Sequence, residues 1–402
     1  MKNLFVFSWC HLWSMGVGIG APSYHHTINH YIESDEWNVF LFTADKTNLA
    51  LKDKAQVYLF SLPEGIEKIC MIPKWGFFLR TIKYWCYTWW AYKSAKKVLR
   101  NCSGKGIAYA YEFWGVKAGS LFAKRYKLPF ITRFQGTILV DKKDRLIDRI
   151  KRYPEYNAIQ TKADLVIMTD DGSKGDEVLK RLGNSSSLLF IRNGLDLYNN
   201  YRFLMENTDV HAERSKLGLS DNDKVCMTAS RLVDWKRVDR AIYGVAEALK
   251  REPNTKLLVA GDGKELSNLR ALAKKLGISK AVIFLGGVPQ NMIYKYMLVS
   301  DIFLSLYEMG NLGNPIFEAM LMGKAIITLN NGGTGSVIKN EENGILLEED
   351  QLEKLPDKII ELFEDEQKRE KIAGGAFRYA EENFYTWERR LNIEEKNILQ
   401  LM

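Results

Sequence analysis

The sequence predicts an α/β protein: two doubly wound, Rossmann-like domains facing each other across a cleft. Three observations carry that expectation. The chain has 402 residues, about two domains at roughly 150 residues each. Its second half alternates apolar, β-rich runs with helical periodicity in short regular steps, the pattern of right-handed βαβ units around a buried parallel sheet. Its first half repeats the alternation less cleanly. Residues are 46% hydrophobic and 26% charged, which excludes a disordered chain.

The elements follow in order. Strands are expected at 4–7, 38–43, 57–61, 107–111, 130–133, 165–169 and 188–192. The last runs into Asn193-Gly194, a turn dipeptide that places a domain boundary near Leu195. Beyond it, strands at 224–232, 256–260, 281–285, 301–306 and 325–329 alternate with helices at 238–250, 263–277, 291–299 and 315–323. The glycine-rich run 331–336 is expected to open another helix, and the charged segment 367–402 reads as helical. The expected division is 1–195, 196–375 and a terminal helix, 376–402, packing back on the first domain. In such open sheets, ligands bind beyond the carboxyl ends of the strands, often at helix N-termini.

Composition narrows the function. Five cysteines, an odd number with no C-x-x-C, exclude a disulfide scaffold and a cysteine zinc site and suit a reducing compartment. A net charge of +8 points to an anionic partner: phosphate, acidic lipid or nucleic acid. No charged residue falls between Lys2 and Glu33, which resembles a signal peptide or anchor. His11, Ser14 and the alternating Gly16, Gly18 and Gly20 break that run, so a buried strand followed by a glycine-rich loop is expected instead. A dinucleotide-dependent oxidoreductase fails, because those glycines have the wrong spacing and begin seven residues beyond Trp9.

Chemistry concentrates at strand ends. Arg231 and Lys236 follow the 224–230 run near a helix start, where two cations suit a diphosphate; the same pair also suits a solvated turn. Residues 307–323 read YEMGNLGNPIFEAMLMG, a strand end, a Gly/Asn loop and a helix whose free amides suit phosphate or sugar oxygens. Glu318 then falls in the first turn, where it would equally complement the helix dipole. His26 and His30 have the spacing of a metal pair but lack an evident third ligand. Residues 71–100 hold seven basic and no acidic residues among nine aromatics. That composition suits an interfacial helix on an anionic membrane, or a helix packing its aromatics on the sheet. Nucleic acid is not expected, for want of any recognised binding module.

Taken together, Ala229-Ser230-Arg231-Leu232 with Lys236, VAGDG (259–263), FLGGV (284–288) and the Gly-to-Glu-Ala-Met run ending at Glu318 resemble the nucleotide-sugar-binding half of the retaining glycosyltransferases of family 4, which have the GT-B fold. GIGAPS (18–23), TRFQGT (132–137) and IRNGLD (191–196) are similar in order in the first half. The resemblance implies that Arg231 and Lys236 hold the donor diphosphate and that Glu318 meets the ribose hydroxyls. It implies that amides at Asn311, Leu312 and Gly313 meet the sugar or diphosphate, that Gly287 and Val288 lie near the base, and that the loop with Gly18 and Gly20 faces the phosphates. Two positions depart from the family: Gly310 replaces the first glutamate of E-x7-E, and Gln135 replaces a common histidine. Asn311, Asn314 or Glu308 could supply the missing sugar contact. His11 and Gln135 are candidates for the acceptor or cleft side.

The resemblance implies a cytoplasmic, metal-independent, retaining hexosyltransferase without a cofactor. Its partners would be a nucleotide sugar and a lipid-linked or polysaccharide-type acceptor, with 71–100 on an anionic membrane surface on the inner face. A non-catalytic partner subunit is the alternative, raised by Gly310 and Gln135.

Overall fold

A computed structural model describes residues 1–9, 23–62, 76–140, 142–308, 310 and 312–402. The chain forms two compact units: Met1–Asp170 with Lys174–Asn193 and Glu388–Met402, and Asp171–Ser173 with Gly194–Trp387.

The first unit holds a seven-stranded sheet: β1 (Lys2–Ser8), β2 (Trp37–Thr43), β3 (Gln56–Leu59), β4 (Gly106–Tyr111), β5 (Phe130–Phe134), β6 (Leu165–Thr169) and β7 (Ser187–Ile191). All pairings are parallel, in the order β3-β2-β1-β4-β5-β6-β7. Most strands are apolar on both faces because helices cover both. Phe5 stacks on Phe40 at 5.1 Å and Phe7 on Phe42 at 5.2 Å, aromatic pairs that fix the β1–β2 register.

The terminal segment is two helices, Glu366–Asn383 and Trp387–Leu399. The first stays in the second unit, where Ala376 and Ala380 are buried and Phe384, just beyond it, meets Phe317 at 4.6 Å. The return to the first unit therefore begins at Glu388 rather than at 376. There it is anchored by polar groups. Buried Arg133 donates from Nη1 to Glu394 Oε2 at 2.7 Å, Tyr109 donates to Glu394 Oε1 at 2.6 Å, and Arg390 pairs with the same carboxylate. Trp37 Nε1 donates to Glu395 at 2.6 Å, and His30 meets Glu395 at 2.8 Å. His30 thus serves this docking, and among the described residues no group of three or more His, Cys, Asp or Glu could hold a metal.

The second unit holds a six-stranded parallel sheet: β8 (Lys224–Ala229), β9 (Thr255–Ala260), β10 (Val282–Gly286), β11 (Ile302–Ser305), β12 (Ala325–Leu329) and β13 (Ile345–Leu347). Its order is β10-β9-β8-β11-β12-β13. The order reverses between β8 and β11, so a crevice is expected outside their carboxyl ends. The three-residue β13 is too short to show as a pattern. The expected helix at 331–336 is a single 3₁₀ turn, Thr334–Ser336. Thr334 and Ser336 return their hydroxyls to the Asn331 and Gly333 carbonyls at 2.7 Å each, closing the turn locally. Among the described residues no helix is long and apolar enough to cross a membrane.

The Glu394 cluster generates a stability prediction. Burial alone would push this carboxyl up, but Arg133 and Arg390 outweigh it and hold it down to about 2, from an ordinary 4.5. Its stabilising contribution is then complete above pH 4.5 and lost as pH falls toward 2. Glu394→Gln leaves two buried guanidinium groups uncompensated and is expected to cost about 3–5 kcal/mol in urea unfolding at neutral pH.

Candidate functional site

The site is built where β8 and β11 part. After β8 the chain runs through Ser230 and Arg231 into a 3₁₀ turn, Asp234–Lys236, and a helix, Val238–Ala248. Its neighbours grip this segment through backbone. Gly261 N–H donates to the Gly286 carbonyl at 2.8 Å, and Leu232 N–H to the Asp262 carbonyl at 2.9 Å. A Cβ at Gly261 would lie 1.8 Å from the Ser230 carbonyl oxygen, and one at Gly263 2.3 Å from that of Leu232. Only glycine permits that approach, which explains the VAGDG run.

Lys236 is the centre of the arrangement. Its ammonium lies 3.6 Å from the Tyr307 ring centroid and 4.2 Å from that of Trp235, so it is held by two aromatic faces. Tyr307 is itself fixed, donating its hydroxyl to the Ala229 carbonyl at 2.8 Å across the β8–β11 gap. Buried Arg240 donates to the Leu306 carbonyl at 3.0 Å and steadies the end of β11. Burial first, and the Arg231 charge second, bring the Lys236 ammonium down to about 7 against the opposing Asp171 carboxylate. Among the described residues Lys236 is in no salt bridge. Arg231 stands more exposed, its basicity lowered by partial desolvation.

Glu318 lies on the helix Asn314–Leu321, which begins after Gly313 with Pro315 in its first turn and no side-chain cap. The first turn contains no acid, so Glu318 lies beyond it and the helix-dipole reading fails. The carboxylate is 3% exposed and makes no ion pair among the described residues. Gln290 Nε2 donates to it at 3.3 Å. Burial pushes Glu318 up to about 7, with Gln290 opposing and the Asp196 charge adding. Sequence reasoning missed Gln290; its signal was its place just after FLGGV, where the strand ends and a helical turn begins.

A second omission is the loop Asp171–Ser173, which follows β6 in the chain and belongs to the second unit. Gly333 N–H donates to the Gly172 carbonyl at 2.8 Å. A Cβ on Gly172 would lie 3.2 Å from Leu312. Ser173 donates from its amide and hydroxyl to Asp171 Oδ1 at 3.0 and 2.6 Å, shaping the turn. This loop therefore joins the 310–313 and 331–334 loops in one cluster. Its signal was the Asp-Asp-Gly-Ser run after a strand.

The remaining expected residues are placed as follows. Gly310 has φ +67°, a left-handed conformation that would strain a glutamate there. Glu308 is exposed, its amide donates to the Trp235 carbonyl at 3.0 Å, and its charge acts on Arg237. Leu312 is buried in the core, while Gly313 and Asn314 are half-buried at the helix start. Gly287 is exposed beside Asp262, and Val288 half-buried. Gln135, in the first unit, is engaged internally: its side-chain amide bonds Ser23 and Tyr111, its oxygen accepts from Asn193 at 3.2 Å, and its backbone N–H donates to Glu112 at 2.7 Å. His11, Gly18, Gly20 and Asn311 lie outside the described residues.

A doubly wound unit with two cations and a buried carboxylate near its switch point is an arrangement suited to a ligand that carries both negative charge and hydroxyl groups. Residues 209–378 match the family model described as glycosyl transferases group 1. The chain is 30% identical to N-acetyl-alpha-D-glucosaminyl L-malate synthase of Bacillus anthracis over 43% of its length and 45% of that protein's. It is also 30% identical to alpha-monoglucosyldiacylglycerol synthase of Streptococcus pneumoniae, over 39% and 35%. The matched stretch thus spans less than half the length of either relative. Crystal structures of Anabaena HepE with UDP and with UDP-glucose superpose with a TM-score of 0.72 at 20% identity, covering 100% of both chains. Residues 209–378 are thus similar to the group 1 glycosyl transferases, and the chain shares its two-unit fold with the solved glycosyltransferase-like structures.

Proposed function

We propose that the chain transfers a hexose from a nucleoside diphosphate sugar, with retention, to a lipid-linked or polysaccharide-type acceptor at the cytoplasmic membrane surface. The observation that carries this reading is the buried carboxylate of Glu318 at the same sheet end as the buried ammonium of Lys236, neither of them in a salt bridge among the described residues. Each group sits where solvation is poor, and each is satisfied by one end of a nucleotide: ribose hydroxyls donate to Glu318, and diphosphate oxygens accept from Lys236 and Arg231.

The chemistry follows from those contacts. As the glycosidic bond to the diphosphate breaks, negative charge grows on the leaving oxygens, and the two cations stabilise it more than they stabilise the intact donor. They supply the role a divalent metal would otherwise fill, so the reaction is proposed to proceed without one. The acceptor hydroxyl adds on the face the diphosphate leaves, and its proton passes to the departing phosphate oxygen. That route needs no histidine at position 135. A purely scaffolding role would give no use for two poorly solvated, oppositely charged groups.

The membrane reading is supported by the helix Gly76–Leu99. Tyr84, Tyr87, Thr88, Ala91, Ala95 and Val98 are buried on the first unit's core. The opposite stripe, at helical spacing, exposes Phe78, Ile82 and Trp89, the last 52% accessible, and then Lys93, Lys96, Lys97 and the following Arg100. One helix thus serves both expected roles, packing on one face and offering apolar tips and cations on the other. The pneumococcal relative's name places a diacylglycerol lipid in its product, which favours a lipid acceptor here.

Three outcomes are expected. Lys236→Ala and Arg231→Ala each lower kcat about a hundredfold or more in a donor-transfer assay, the loss of about 3 kcal/mol of charge stabilisation. Wild-type turnover in both would remove the clamp.

Affinity for an intact nucleotide sugar, whose phosphates do not titrate near neutrality, is expected to peak near pH 7. Above it Lys236 must take up a proton to meet the diphosphate, and below it Glu318 must lose one to accept from ribose. Each limb falls by up to about tenfold per pH unit. In calorimetry Lys236→Met should flatten the alkaline limb and Glu318→Gln the acid limb.

Changing Lys93, Lys96 and Lys97 together to Glu should release the protein from anionic vesicles while leaving donor hydrolysis intact, since each cation near such a surface contributes about 1 kcal/mol. Sedimentation unchanged by that charge reversal would exclude the helix as a membrane contact.

A further inference from the structure

Helix Gly76–Leu99 is not alone in exposing apolar tips. Leu146, Ile147 and Ile150 are 74%, 52% and 46% exposed on the short helix Leu146–Lys151. A six-residue helix with its only large apolar side chains in solvent contributes no core to the fold, and no residue of it is buried. Residues 142–152 also carry Lys142, Lys143, Arg145, Arg149, Lys151 and Arg152 against two carboxylates. One of these, Asp144, is turned inward: it accepts from the Tyr156 hydroxyl at 2.8 Å and pairs with Arg181 at 3.0 Å. The segment therefore presents cations and aliphatic tips outward, and little negative charge.

This segment is continuous with the exposed face of helix Gly76–Leu99. Tyr153, one turn beyond Ile150, packs its ring 5.9 Å from Tyr84 and 6.2 Å from Trp85. Arg80 pairs with Glu155. Phe78 and Ile82 lie one to two turns from Trp85 on the exposed stripe. Two elements far apart in sequence are thus joined by aromatic contacts, each showing apolar tips edged by cations.

We infer that residues 142–152 form a second docking element for an anionic lipid bilayer, with Leu146, Ile147 and Ile150 inserted at the headgroup–acyl boundary. The inference deepens the membrane-surface reading above and is independent of the donor site. Charge complementarity selects the occupant. Anionic headgroups meet the exposed Lys143, Arg145 and Lys151, and the acyl boundary receives tips too few and too scattered to form the apolar core of a protein interface. Two contacts on one unit also fix its orientation on the bilayer, which a single helix leaves free to roll.

The test uses the full chain and vesicles of phosphatidylcholine with phosphatidylglycerol, beside phosphatidylcholine alone. The variant L146S/I147S/I150S changes exposed side chains only, so its melting temperature and nucleotide affinity should match wild type. Its partition into the anionic vesicles is expected to fall on the order of a hundredfold, with binding of the K93E/K96E/K97E variant lost separately. An I147W variant should gain fluorescence quenching by brominated acyl chains beyond that of the wild type. Undiminished vesicle binding by the triple serine variant, or no added quenching in I147W, would overturn the inference while leaving the helix-based reading standing. Failure of the wild type to bind anionic vesicles would overturn both. A change of oligomeric state in the serine variant without loss of vesicle binding would overturn the inference alone and assign the tips to contact with a second copy. Loss of transfer with vesicle binding intact would instead count against the donor reading alone.

Discussion

The site depends on the way the β8 and β11 ends are locked together. Tyr307 reaches from the end of β11 to the Ala229 carbonyl at the end of β8, and the same ring carries the Lys236 ammonium on its face. The hydrogen bond sets the ring, and the ring sets the cation. Behind it, the glycines of the β9 loop let Ser230 and Leu232 lie against backbone rather than side chain. A charged group so placed loses water before any ligand arrives, which is why its ammonium titrates near neutrality. Pre-organisation of this kind costs stability in the free protein and returns it when an anion docks.

Glu318 obeys the same logic with the opposite sign. Its helix begins after Gly313 and is packed through Ile316, Phe317, Met320 and Leu321, so the backbone position of the carboxylate is dictated by core residues on the other positions of the helix. Burial raises its pKa to about 7, and the neutral side-chain amide of Gln290 donates to it at 3.3 Å. Two groups whose protonation is balanced near the same pH make a site responsive to a ligand offering both hydroxyls and phosphate.

Much of this was legible in the sequence, and the limits have physical causes. The parallel strands showed because both faces of each are buried, which writes continuous apolar runs into β1, β8, β9 and β12. β13 did not show, because three residues carry no period. The turn at 334–336 has the glycine-rich lead-in of a helix start, and the hydroxyl bonds that close it as a turn are invisible in a pattern. Lys236, Arg231 and Glu318 stood out by spacing from strand ends. Gln290 and the Asp171–Ser173 loop did not, because each acts through a contact with a distant segment: Gln290 with Glu318, Gly172 with Gly333 and Leu312. Position 318 relative to its helix start was misjudged by one residue of helix boundary, enough to move it out of the first turn.

The last helix shows why charge can specify a docking that hydrophobicity alone would not. Residues 387–399 bury Leu391 and Ile398, yet Arg390 and Glu394 are wholly buried with Arg133. Replacing such a triad with apolar side chains often raises stability, so its presence argues for selection of one register rather than for strength. A helix sliding by one turn would keep its apolar stripe roughly in place but carry Glu394 away from Arg133 and Tyr109, leaving charges buried without partners. Glu395 adds a second lock on the neighbouring position, to Trp37 and His30. Arg133 also donates to Thr27 and Ser23, and Ser23 is the residue that receives the Gln135 amide. The position of the C-terminal helix is thereby transmitted, through one guanidinium, to the polar cluster at the ends of β4 and β5.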